Sequence, residues 1–190
     1  MIYAGIDPGL QGALAIIERN EHGPDGVAFH DTQTIQPATG SQRVYNLGWI
    51  VQLLEEFQMK PCLAGLEVFH GFPGIGGIAK CKCCKQPLGL GARTVRTMAQ
   101  GRGIGIWEGA LAMAKIATQF VSPQSWKARL LRDMPKGKDS SRIVAMRLYP
   151  QAASSLQLKK HVGRADALLI ATYVMREYEA EKMEETDDCH

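Results

Sequence analysis

Three acidic residues of this chain stand where acids are either costly or pivotal. Asp7 closes the apolar run Ile2-Tyr3-Ala4-Gly5-Ile6 just ahead of Pro8-Gly9, Glu67 lies near the end of Leu63-Ala64-Gly65-Leu66-Glu67-Val68, and Asp166 falls in the first turn of the last helical stretch. A charge inside an apolar strand is expensive unless it is paired or coordinated, so Glu67 is the hardest to read as structure alone. Asp7 before Pro-Gly also suits a turn, and Asp166 also suits the dipole at a helix start. If the first and fourth strands are neighbours, Asp7 and Glu67 enter one crevice and the helix delivers Asp166. Carboxylates so placed repel one another, and each calls for a cation. Hard oxygen ligands suit Mg2+ or Mn2+, and two such ions about 4 Å apart can stabilise the attacking and leaving oxygens of phosphodiester hydrolysis.

The elements that must carry these residues follow from periodicity and turn chemistry. Ile2–Asp7 reads as a buried strand stopped by Pro8-Gly9, Ala13–Ile17 as a second strand at hairpin distance, and Val27–Ile35 as a third. Ser41 is the expected cap of an amphipathic helix with Val44, Leu47, Val51, Leu54 and Phe57 on its apolar side. Leu63–Val68 is then a fourth strand, reached through a helix and so parallel to the first, which implies an α/β layout. His70–Gly91 breaks all periodicity and reads as a long exposed loop. Helical chemistry resumes over Arg93–Ala117, weakened by Gly101, Gly103, Gly105 and Gly109. A short strand at Gln119–Val121, helical segments at Ser125–Arg132 and Lys138–Leu148, and a last helix over about 164–181 complete the chain.

With 190 residues, 45% hydrophobic and 22% charged, the composition is that of one globular domain with a core, and it excludes collagen-like, coiled-coil and wholly disordered chains. No apolar stretch approaches the roughly 20 residues that cross a bilayer, and no secretory leader is evident, so a cytoplasmic protein is expected. The net charge of +3 averages two opposed regions. Residues 177–190 hold seven acids and one base, whereas Lys80–Arg142 holds thirteen bases against three acids. So concentrated a field suits a polyanion, nucleic acid first, although a solvated basic face gives the same count. Lys127, Arg129, Arg132, Lys136, Lys138 and Arg142 come from two adjacent helical segments and would line one bank of a phosphate groove. The five cysteines do not form a disulfide framework; Cys81 and Cys84 have half a zinc-site spacing that His70 or Cys62 would have to complete.

Four segments together carry a resemblance. Gly5-Ile6-Asp7-Pro8-Gly9, Leu66-Glu67-Val68, Pro123-Gln124-Ser125-Trp126-Lys127 and His161–Ala171, in that order, resemble the RuvC-type Holliday junction resolvases in their phage and prophage version. The likeness runs from Met1 to about Arg176. It implies an RNase H-like fold with a mixed five-stranded sheet, three of its strands antiparallel, and helices on both faces. One nuclease domain over 1–176, with 70–92 as a loop insertion, would be followed by an acidic tail at 177–190. The resemblance also implies a homodimer that nicks four-way DNA junctions symmetrically. Asp7, Glu67 and Asp166 would be metal ligands for Mg2+ or Mn2+, two ions per site, with Lys127 and Lys138 on the scissile strand. The family's usual fourth ligand would fall on Gly163, which has no side chain; His161, two residues earlier, is the candidate second-metal ligand or proton-transfer group. Arg129, Arg142 and Arg164 join the expected DNA contacts. Phe69, Phe72 and Ile75 are candidate wedges into a junction centre. Gly105, Gly109 and Ala112 form a small-residue face suited to a dimer or to packing on the chain's own sheet.

The expected activity is therefore a Mg2+-dependent endodeoxyribonuclease acting on branched DNA and leaving 5′-phosphate ends. Two alternatives stand beside it: a junction-binding protein impaired by Gly163, and an RNase H-like nuclease acting on RNA or an RNA–DNA hybrid.

Overall fold

The computed structural model describes residues 1–39, 42–57, 60–69, 83, 90–135, 137 and 139–187, the side chains of 90–97 and 186–187 excepted. Strands β1 (Ile2–Ile6), β2 (Ala13–Glu18) and β3 (Gly26–Asp31) are followed by a two-stranded ribbon of β4 (Thr34–Ile35) and β5 (Val44–Tyr45). Then come α1 (Leu47–Glu55), β6 (Cys62–Glu67), α2 (Leu90–Met113), β7 (Ala117–Val121), α3 (Pro123–Leu130) and α4 (Ser140–Leu148). Two 3-10 turns, Pro150–Leu156 and Lys159–His161, lead into α5 (Val162–Asp187). The main sheet has the order β3-β2-β1-β6-β7. β1, β2 and β3 are antiparallel, and β6 and β7 run parallel to β1, the mixed five-stranded arrangement expected.

Strand alternation divides the core between the two faces. Ile2, Ala4 and Ile6 of β1 pack under α1 and α2 with Ile50, Leu54, Trp107 and Leu111. Tyr3 points the other way, into the layer formed by α3, α4 and α5 with Trp126, Ala145 and Leu168. α5 is buried along nearly its whole first half, from Ala165 through Val174, because it lies between the sheet and α4. Full burial of each of its Leu and Ile side chains stabilises the fold by roughly 1.5–3 kcal/mol before conformational entropy is counted. Gly5 is the point of closest approach: a Cβ there would strike the backbone of Ala167 and Ala171 in α5.

Two local readings of the sequence are corrected. α1 begins after Asn46, whose side chain accepts from the Trp49 N–H at 3.2 Å, and not after Ser41. Val44 instead pairs with Ile35 across the ribbon. Ile50, Leu53 and Leu54 form the buried stripe while Leu47 and Val51 are exposed, since the dense apolar residues allowed two helical frames. The expected third strand over Val27–Ile35 is likewise split, as β3 ends at Asp31 and β4 leaves the main sheet.

α5 passes residue 176 without a break. Glu177 pairs with Arg129, and Glu179 pairs with Arg19 at 2.9 Å, so the acidic run begins inside the folded helix. Among the described residues no helix is long and apolar enough to cross a membrane.

Candidate functional site

Parallel pairing of β1 with β6 matches Ile6 to Leu66, so Asp7 and Glu67 are the next residues side by side at the same sheet edge. The alternation that sends Tyr3 and Leu63 toward α5 sends Asp7 and Glu67 to that same face. Asp166, one turn into α5, acts electrostatically on both from the helix packed on that face. Each of the three is positioned by a different element of the fold.

Each carboxylate is also held by one neighbour. The Gly9 N–H donates to Asp7 Oδ1 at 3.1 Å, closing the Asp7-Pro8-Gly9 turn. The buried Trp126 indole donates through Nε1 to Glu67 Oε1 at 2.9 Å. Ser141, at the start of α4, hydrogen-bonds to Asp166, whose Oδ1 is buried without a partner. Among the described residues no other hydrogen bond reaches the side-chain carboxylate of Asp7 or Glu67. Each acid is thus oriented while an oxygen remains for something else.

The electrostatics narrow the chemistry that this would be. Burial pushes Asp7 up to about 6, against the Gly9 hydrogen bond that lowers it, and Asp166 adds to the rise. Burial pushes Glu67 up to about 7, with Trp126 opposing and Asp7 and Asp166 reinforcing. Asp166 is raised by burial, opposed by Ser141 and Lys127. Lys127 is the cation that acts on all three. Its Nζ lies 4.9 Å from the Trp126 ring centroid, so the same indole steadies Glu67 and the lysine. One positive charge does not balance the buried Glu67 and the half-buried Asp7 and Asp166, and the residual repulsion suits a divalent cation with oxygen ligands. Among the described residues no three His, Cys, Asp or Glu side chains are gathered into one ready-made ligand sphere. Asp166 Oδ1 is left without a partner, and Asp7 and Glu67 are raised chiefly by burial, features compatible with an added cation.

Two depressions open on this group. A groove of about 800 Å³ is lined by Lys127, Arg132, Pro135, Ser140, Ser141 and Asp166. A smaller cavity of about 210 Å³ on the other side is lined by Asp7, Glu67, Tyr45 and Phe69. Phe69 is 49% exposed and stands at the rim of the carboxylate site.

Several expected DNA contacts are engaged elsewhere. Arg142 is buried, donating through Nε to the Leu156 carbonyl at 2.9 Å, through Nη1 to Asp139 at 2.6 Å, and through Nη2 to the Gln157 carbonyl. It ties α4 to the 3-10 turn and does not face a groove. Arg142→Ala is expected to cost about 2–3 kcal/mol, because it strips donors from buried acceptors; chemical denaturation measures it, and an unchanged midpoint would contradict that role. Arg164 grips Asp31 with two bonds of 2.6 Å and joins α5 to β3. Arg129 pairs with Glu177 and lies 5.9 Å from the Tyr173 ring. His161 accepts from the Leu158 N–H at 3.4 Å, and its pKa is lowered by burial and by Arg164 and Lys160. None of the three site carboxylates is among the groups acting on it, so the structure does not join it to them. Lys138, Phe72, Ile75, His70, Cys81 and Cys84 lie outside the described residues, and with them the zinc suggestion; Cys62 is a free thiol that burial pushes up to about 11.

Gly163 has a steric explanation. A Cβ there would lie 2.6 Å from the Gln11 carbonyl oxygen and 3.0 Å from Gly12 Cα, because the turn between β1 and β2 packs directly on α5. No fourth acid fits at that position. Sequence reasoning missed Trp126 as the partner of Glu67, although an indole N–H buried in a core needs an acceptor, and that need was the available signal. Ser141 gave no signal beyond a polar pair at a helix start.

Three comparisons bear on this geometry. No family model matches the chain. A 71-residue stretch, 37% of this chain, is 38% identical to the Holliday junction resolvase MOC1, chloroplastic, of Chlamydomonas reinhardtii; the chain spans 8% of that protein's length. Among solved structures, T. thermophilus RuvC in complex with Holliday junction substrate is 18% identical, with a TM-score of 0.51 over 90% of each chain. A second Thermus thermophilus RuvC structure is 19% identical, with a TM-score of 0.48 over 90% of this chain and 91% of that one. The chain therefore has the fold of RuvC, as expected from its motifs.

Proposed function

We propose that this protein is a divalent-metal-dependent endonuclease that resolves Holliday junctions or other branched DNA. The observation that carries the reading is the convergence of Asp7, Glu67 and Asp166 from three separate elements around Lys127, in a chain with the RuvC fold. The short stretch shared with a junction resolvase supports the same substrate class.

Asp7, Glu67 and Asp166 would hold Mg2+ or Mn2+, which when bound supplies the Lewis acidity and positive charge that phosphodiester hydrolysis requires. The protein's own groups do the positioning. Gly9 and Trp126 turn the Asp7 and Glu67 carboxylates toward the crevice, and Ser141 does the same for Asp166. Lys127 and Arg132 line the larger groove, where a phosphate backbone meets positive charge beside Asp166. Phe69 stands at the opposite rim, suited to press on an unstacked base. Hydrolysis would leave 5′-phosphate and 3′-hydroxyl ends. Lys127→Ala is expected to slow single-turnover junction cleavage by about 10²-fold while weakening binding much less, since one phosphate contact is a small part of the electrostatic affinity. Equal cleavage rates for variant and wild type would remove Lys127 from the site.

One observation favours a second reading. Gly163 leaves the site with three acids, which suits a junction-binding protein with impaired cleavage.

We also propose a homodimer through the face of α1 and α2. Gly105 and Gly109 have open space around them, so packing against the chain's own sheet is not their role. A groove of about 500 Å³ lies there, edged by Leu47, Val51 and Met113, the last 82% exposed.

A further inference from the structure

We propose that a second groove, beside Asp7, receives an unpaired strand at the branch point, its phosphates on Arg43 and Arg102 and its bases against Leu10 and Met98. This deepens the nuclease reading and rests on it. The groove has a volume of about 400 Å³ and shares Leu10, Tyr45 and Ala99 with the cavity that holds Asp7 and Glu67. It therefore extends the carboxylate site on the side where Asp7 opens, whereas the Lys127–Arg132 groove opens beside Asp166.

Its charges are available. Arg129, Arg142 and Arg164 are each bound to a carboxylate, but among the described residues neither Arg43 nor Arg102 enters an ion pair. Both are exposed. The Tyr45 hydroxyl donates to the Pro8 carbonyl at 2.7 Å and so fastens the Asp7 turn to this groove.

Its lining selects the ligand. Leu10 is 39% exposed and Met98 69%, an apolar surface between two cations. A continuous duplex keeps its base faces stacked inside and presents phosphates alone, so this surface gains nothing from it. Unpaired bases offer faces that stack on apolar and aromatic side chains while their phosphates meet arginine. The groove thereby distinguishes branched from linear DNA without reading sequence.

The test uses the full chain, with fluorescence anisotropy in EDTA on a four-way junction with an unpaired centre and on a linear duplex of matching sequence. The Arg43→Ala/Arg102→Ala double variant, checked to melt with the wild type, is expected to bind the junction about tenfold more weakly. Its salt slope should fall by about 1.4, two single-strand phosphates at roughly 0.7 each. Duplex affinity should stay within about twofold, the duplex having no unpaired strand to offer these arginines. Met98→Ser should lower junction affinity without changing the slope. Equal loss on both DNAs, or junction binding unchanged in affinity and slope, overturns the proposal while leaving the nuclease reading standing. A change of oligomeric state by light scattering with an unchanged slope overturns it in favour of a protein interface. Wild-type protein that shows no preference for the junction overturns the nuclease reading itself.

Discussion

Asp7→Asn is expected to reduce junction cleavage by about 10³-fold or more while making the metal-free protein more stable at neutral pH. The two effects have one cause. Asp7 is held near 6 and Glu67 near 7, both far above the ordinary 3.8 and 4.5, chiefly because burial penalises their charged forms. Between the unfolded and folded values the native protein binds more protons than the unfolded chain, so stability falls as pH rises through that window. Below about 3 both states are protonated and the cost is absent; above about 8 it is fully present. For Asp7 the shift of about two units corresponds to roughly 3 kcal/mol at most, a part of it shared with its neighbours. Asparagine removes that cost, and the melting temperature in EDTA at pH 8 should rise by roughly 5 °C. At about pH 3 the gain should largely vanish. A variant less stable than the wild type at pH 8 would show that Asp7 is not an uncompensated buried charge.

Gly163→Asp is expected to destabilise the protein and lower its activity, although it supplies the acid that the family pattern has there. The added Cβ meets the Gln11 carbonyl oxygen at 2.6 Å and Gly12 Cα at 3.0 Å, both backbone atoms that cannot swing aside. Gly12 in turn lies against the Asp7 carbonyl, so a displaced turn moves Asp7. Overpacking of this kind costs about 1–3 kcal/mol, or roughly 3–10 °C in melting temperature for a chain of this size. Gly163→Ala should lose nearly as much, which separates the steric effect from the charge. A stable Gly163→Asp protein with faster cleavage would show instead that the site lacks only a fourth ligand.

The strands and the carboxylate group were legible because they depend on local rules. Pro8-Gly9 stops β1, apolar runs mark β1 and β6 as buried strands, and once the structure pairs them, period-two alternation puts Asp7 and Glu67 on one face. Partner choice is not local. Lys127, Arg129, Arg142 and Arg164 are equal in a charge count, yet only Lys127 faces the acids, because Glu177, Asp139 and Asp31 are brought to the other three by tertiary packing. His161 illustrates the same limit: two residues from Gly163 in sequence, it belongs electrostatically to Arg164 and Asp31. The start of α1 was misplaced because Val44 and Leu47 continue the helical spacing of Val51, and only pairing of β5 with β4 interrupts it. Gly163 was visible as a departure from a pattern, while its cause, contact with the turn at Gln11 and Gly12, exists only in three dimensions.

The most direct test follows strand nicking of an end-labelled four-way junction by the purified wild-type chain, beside a linear duplex and an RNA–DNA hybrid, as Mg2+ or Mn2+ is titrated. The predicted result is metal-dependent nicking of the junction in preference to the other two, abolished by EDTA and by Asp7→Asn. Junction binding without nicking at any metal concentration would contradict the nuclease and leave the binding protein, whereas preferential cutting of the hybrid would contradict the junction as substrate.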